Sequence, residues 1–121
     1  MAATTEYLPL IAKLLEKTKG RKVEWKGTYE STTFICALEG KYSFEIEKGV
    51  TSNRNPYRRL TMKDNLEGEV FVAFAVVPDV DTSDQNDQLF QMLDELYQQA
   101  RRVALDIDRK VDEISDILDK M

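Results

Sequence analysis

One stretch, "LFQMLDELYQQARRVALDIDRKVDEISDIL" from Leu89 to Leu118, sets the hardest limit on how this chain can fold. In a heptad frame, Leu93, Ala100, Ile107, Ile114 and Met121 take the first position. Leu89, Leu96, Val103, Lys110 and Ile117 take the second, and Phe90, Tyr97, Ala104, Val111 and Leu118 the third. Only Lys110 breaks the apolar pattern. A stripe three positions wide suits burial in a core or bundle, whereas a two-stranded coiled coil needs a seam of two. No Pro or Gly follows Pro78, so the pattern predicts one long helix over about 83–120. Thr82 and Gln85 have the spacing of a capping box, and Asp79, Asp81, Asp84 and Asp87 suit the positive end of its dipole.

Length makes that helix a problem. From Leu89 to Met121 it would extend about 50 Å, while strands of six to eight residues span about 20–27 Å. Three outcomes follow: a second helix shares the coverage, the long helix bends near "ALDID", or its second half packs on a partner. A partner is the expected outcome, most simply a second copy forming a homodimer.

The rest of the chain has a different rhythm. "YLPLIAKLLEK" places Tyr7, Leu8, Ile11, Leu14 and Leu15 on one helical face, predicting a short helix over about 8–18, with Pro9 in the first turn and Gly20 beyond the last. From Arg21 to Val77 the period becomes two. "KVEWKGTY" sets Val23, Trp25, Gly27 and Tyr29 on one face, and "KYSFEIE" sets Tyr42, Phe44 and Ile46 opposite Ser43, Glu45 and Glu47. "TTFICAL", "YRRLTMK" and "EVFVAFAVV" complete five strands, with "LEGKY" and "DNLEG" as turns. "KGVTSNRNP" is the expected long loop, and the last strand, apolar on both faces, is expected to be covered twice or to lie at an association surface. The fold class is α+β: one domain over 1–121, with a short N-terminal helix, a five-stranded antiparallel meander and a long C-terminal amphipathic helix packed on the sheet.

Composition narrows the chemistry. The chain has no histidine and one cysteine, which disfavours Cys-His, Ser-His-Asp and His-ligated metal sites together and makes an internal disulfide impossible. Cys36, in an apolar run, reads as a core residue. Residues 79–121 hold twelve acidic against five basic residues, while residues 1–78 sum to +2, so binding to nucleic acid or an anionic membrane is disfavoured. No apolar run approaches the ~20 residues of a membrane span, and the N-terminus lacks signal-peptide features; the expected location is cytoplasmic.

Three constellations of charged residues stand out. "DVDTSDQNDQLF" resembles a calcium loop in part, but Asp84 replaces the turn glycine and Phe90 the bidentate glutamate. Asp108, Asp112, Asp116 and Asp119 form an acidic ridge that reads as a solvated face, with Asp106–Lys110 and Arg109–Glu113 at ion-pair spacing. Arg54, Arg58, Arg59 and Lys63 gather around Tyr57 as the chain's basic cluster, a candidate contact for an anionic ligand or, more ordinarily, a charged strand edge.

"LLEKTKGRKVEWKGT", "YSFEIEKG" and "LYQQARRVALDIDRKVDEISDIL" resemble a pattern in small uncharacterised bacterial proteins: a short helix, Lys-x-x-Trp, a β-meander, and a terminal helix with Leu-Tyr and Ala-Arg. The resemblance implies a bacterial or phage-associated cytosolic protein, and it brings no catalytic or binding residue with it. The function expected from the residues is a non-enzymatic interaction or regulatory module. Its candidate interface is Leu96, Val103, Ile107, Val111, Ile114 and Leu118, with no cofactor and no metal. The alternative is a small-ligand domain that binds anions through Arg54, Arg58 and Arg59.

Overall fold

The computed structural model of the chain describes residues 6–78 and 84–121. Helix α1 runs Leu8–Lys19, followed by strands β1 (Trp25–Gly27), β2 (Thr33–Leu38), β3 (Tyr42–Val50), β4 (Pro56–Asp64) and β5 (Glu69–Val76). Helices α2 (Asp84–Ala104) and α3 (Ile107–Asp119) complete the fold. The expected α+β layout is what the structure shows, with one difference: the long helix is two helices. Residues 79–83, which include the expected capping Thr82 and the first part of the calcium-like run, fall outside the described residues.

The strands pair only with their sequence neighbours, in the order β1-β2-β3-β4-β5, all antiparallel. Turn chemistry sets this meander. Between β2 and β3, Glu39 and Gly40 both take positive φ (54° and 71°) and the Lys41 N–H donates to the Leu38 carbonyl, a tight turn whose backbone twist matches that of the strands it joins. Between β4 and β5, the Asp64 carboxylate accepts from the N–H groups of Leu66 and Glu67, and Gly68 takes the left-handed position (φ 72°). The expected long loop is shorter: β3 and β4 extend to Val50 and Pro56, and Thr51 and Asn55 close the turn through backbone and side-chain hydrogen bonds.

One face of the sheet carries the core. Trp25, Phe34, Cys36, Phe44, Ile46, Leu60, Met62 and Val76 meet Ile11, Leu14 and Leu15 of α1 and Leu89, Leu93, Leu96, Tyr97 and Ala100 of α2. Helix α2 touches all five strands, and α1 packs beside it. The Trp25 indole N–H donates to the Thr18 hydroxyl at 3.0 Å, and that hydroxyl donates to the Leu14 carbonyl, so the polar atoms of this buried corner are satisfied.

Two strand expectations are corrected. The first strand stops at Gly27, and Tyr29, placed on its apolar face by alternation, is almost fully exposed, because Thr28 turns the chain by bonding Glu30 and Thr33. The last strand is not covered on both sides: Val72, Phe74 and Val76 face the core, and the outer side holds the small, exposed Ala73 and Ala75. A register shift after Met62 leaves Val70 and Phe71 exposed.

Candidate interaction surface

The break between α2 and α3 falls at Leu105 and Asp106, within the "ALDID" segment singled out from the sequence. Asp106 sits in the left-handed region (φ 55°, ψ 44°), a conformation that ends a helix and that Asp tolerates better than most residues. Its N–H donates to the Val103 carbonyl at the end of α2, and its own carbonyl accepts from Lys110, starting α3. Arg109 pairs with the Asp106 carboxylate and with Glu113 at 3.2 Å. Of the two expected ion pairs, Arg109–Glu113 forms, while Arg109 takes the carboxylate expected to meet Lys110.

Beyond this joint the apolar stripe continues, uncovered. No residue of α3 is buried, and Val111, Ile114, Ile117 and Leu118 are each more than half exposed. Of the outcomes weighed from the sequence, α1 does not extend its cover to this segment and the helix bends. The candidate interface divides accordingly. Leu96 lies fully buried beneath the chain's own sheet and is withdrawn from it; Val103 packs partly on the core; Ile107 is half-buried at the joint; Val111, Ile114 and Leu118 are open. Ile117 belongs with the open set.

The first turn of α3 is latched to the body. Asp108 forms ion pairs with Arg21, in the turn after α1, and with Arg102, in the last turn of α2. Thr18, Lys19, Gln99 and Val103 join these three around a polar cleft of about 210 Å³. Asp108 therefore does not belong to a free acidic ridge: Asp112, Asp116 and Asp119 are exposed, and Asp108 is spent on holding the helix. All three side chains of the latch are partly exposed, so it sets direction more than stability.

The basic cluster disperses in three dimensions. The Arg58 side chain is only 12% exposed; it donates to Asp94 of α2 at 2.7 and 3.0 Å, and its guanidinium stacks over Phe90 (5.1 Å) and Tyr97 (5.8 Å). It joins sheet to helix. Arg59, on the outer face, lies over the Tyr57 ring and 3.9 Å from Glu47. The Tyr57 hydroxyl donates to Glu47 at 2.8 Å, and this carboxylate neighbour holds the phenol above its ordinary pKa. Tyr57 lies across Gly49, where a Cβ would meet its ring at 2.4 Å. Arg54 sits apart, with positive φ in the β3–β4 turn. Arg58 and Arg59 thus point to opposite faces of the sheet, and the cluster makes no single concave site.

Cys36 lies in the core, and burial pushes its thiol up to about 12, against the pull of a backbone hydrogen bond from Phe44. A thiol held protonated there is a poor nucleophile. Among the described residues no group of three or more His, Cys, Asp or Glu side chains is placed to hold a metal ion, and no helix is long and apolar enough to cross a membrane.

Two features escaped sequence reasoning. Arg58–Asp94 joins residues that sit in separate motifs, one read as a basic patch and the other as a helix surface. The second is an apolar groove beside α1, lined by Leu10, Leu38, Tyr42, Phe44, Met62 and Phe71. Leu10 falls just off the predicted helix face, and Phe71 is exposed only because of the register shift; neither signal is periodic. No known protein family, curated protein or solved structure matches this chain.

Proposed function

We propose that this chain is a non-enzymatic association module that binds a second copy of itself through the apolar face of α3. The single observation that carries the reading is a 13-residue amphipathic helix, set off from α2 by a defined joint and latched at its first turn, with none of its apolar residues buried. Covering the exposed halves of Val111, Ile114, Ile117 and Leu118 would contribute about 3–6 kcal/mol per helix at 1.5–3 kcal/mol for each fully buried side chain. Association costs about 4–15 kcal/mol in lost freedom and ordering, so one such contact falls short over most of that range, while two related by a two-fold axis contribute about 6–12 kcal/mol, comparable to the cost. The conformation of α3 supports the same reading, since an isolated helix this short is marginal in water.

Sedimentation velocity tests it. The wild-type chain is expected to sediment as a dimer at micromolar concentration, and Ile114→Asp as a folded monomer with an unchanged sheet signal. Ile107→Asp, at the half-buried joint, should weaken the dimer too. A wild-type chain that stays monomeric up to hundreds of micromolar sinks the reading.

A further inference from the structure

Two copies of α3 that meet along their apolar stripes can run parallel or antiparallel, and the residues within and beside the stripe choose between the two. Lys110 is the one charged residue inside the stripe, and it is exposed. In a two-fold pair of parallel helices each position faces its own copy, so Lys110 would meet Lys110 in the seam. Two like charges would then be held together where the apolar contact is closest. Reversing one helix removes that layer. Ile114 then faces Ile117 of the other copy, Ile117 faces Ile114, and Lys110 faces Met121, where its stem can lie on apolar surface while the ammonium reaches water. The two Lys110 positions stand about 16 Å apart along the axis at helical rise.

The edges of the stripe set the register. Val111 and Leu118 hold one edge, and in this alignment Val111 of each copy lies across from Leu118 of the other. Glu113 and Lys120, each one residue ahead of a first-position residue, hold the opposite edge and carry opposite charges, so Glu113 of each copy meets Lys120 of the other. Overlapping the helices by a further heptad would set Glu113 against Glu113 and run the seam into the joint. Lys110 and Lys120 have no ion-pair partner among the described residues, and Arg109 engages only the Oε2 atom of Glu113, at 3.2 Å on an exposed surface. Asp112, Asp116 and Asp119 lie on the side of α3 away from the stripe and take no part.

Resting on the association proposed above, we infer that α3 of one copy packs antiparallel on α3 of the other, with Ile114 against Ile117 and two reciprocal Glu113–Lys120 pairs along one edge. Each body is fixed to the first turn of its own α3 through Asp106 and Asp108, so the two bodies stand at opposite ends of the helix pair. A two-fold axis across the middle of the pair closes the assembly at two copies.

The test uses the full chain. Cys36 is buried, so a cysteine placed on α3 is the accessible thiol. Chains carrying Val111→Cys are mixed with chains carrying Leu118→Cys and treated with a short bifunctional thiol reagent. The mixed pair is the expected product, and Val111→Cys alone should give almost none, because its two copies lie about 13 Å apart along the seam at helical rise. In a second measurement the dimer dissociation constant is read by sedimentation. Glu113→Lys and Lys120→Glu should each weaken the dimer roughly three- to tenfold, and the two combined in one chain should bring it back to within about twofold of wild type. If Val111→Cys chains link readily to each other, or if the losses from the two charge reversals add instead of cancelling, the antiparallel arrangement is overturned. The association through α3 then still stands as long as Ile114→Asp dissociates the dimer. A wild-type monomer removes both.

Discussion

Helices α2 and α3 share one unbroken apolar stripe in the sequence, yet Leu89, Leu93, Leu96 and Ala100 of α2 are fully buried while α3 buries nothing. The difference lies in what stands opposite. Helix α2 crosses all five strands. Five strands at about 4.8 Å spacing make a sheet about 19 Å wide, and Leu89 to Ala100 is about 17 Å of helix, so coverage ends where the sheet does. Past that edge the same periodicity has nothing to rest on. Amphipathic spacing therefore reports that a face is to be covered, and only the dimensions of the rest of the fold decide whether the chain covers it itself.

Three pairs of substitutions would break or sharpen this contrast. The largest effect is expected from truncation: Leu96→Ala should cost about 2–5 kcal/mol of stability, as deletions in well-packed cores do, and Ile114→Ala less than about 0.5 kcal/mol. Urea denaturation of both at concentrations low enough to keep the chain monomeric decides it, and equal costs would erase the distinction. A smaller effect separates the two helices' ties to the body. Asp94→Ala strands the nearly buried Arg58 guanidinium and should cost about 1–3 kcal/mol. Asp108→Ala removes only the more exposed latch and should cost at most about 1 kcal/mol. Comparing the two melting temperatures checks this. The smallest test is at the joint, where Asp106→Val should lose about 1 kcal/mol because a β-branched residue resists the left-handed conformation, whereas Asp106→Gly keeps it freely. A Val variant as stable as Gly, with helical ellipticity unchanged, would show that the left-handed joint imposes no cost.

Most of the architecture was legible, because period and turn chemistry are local. The alternation in "KYSFEIE", the Gly40 and Gly68 turns and the face of Ile11, Leu14 and Leu15 each read correctly from a few neighbouring residues. The joint was legible only as a place: "ALDID" interrupts nothing in the apolar pattern, and Asp106 ends α2 through its backbone conformation. The helix was measured against strand length, but α2 crosses the strands, so sheet width was the dimension that mattered. The basic cluster misled for a related reason. Arg58 and Arg59 are adjacent in sequence and therefore face opposite sides of a strand, and the carboxylate that claims Arg58 lies 36 residues away.

The strictly sequential order of the strands also bears on how the chain reaches this state. Each hairpin closes over a short loop, at small entropic cost, so the sheet can assemble from local encounters. The long closure is the one that brings α2 from the far end of the chain onto β1, where Trp25 is locked against Thr18. Because Trp25 is the only tryptophan, its fluorescence reports the closing of this one corner, where β1 pairs with β2 and the two helices pack over it.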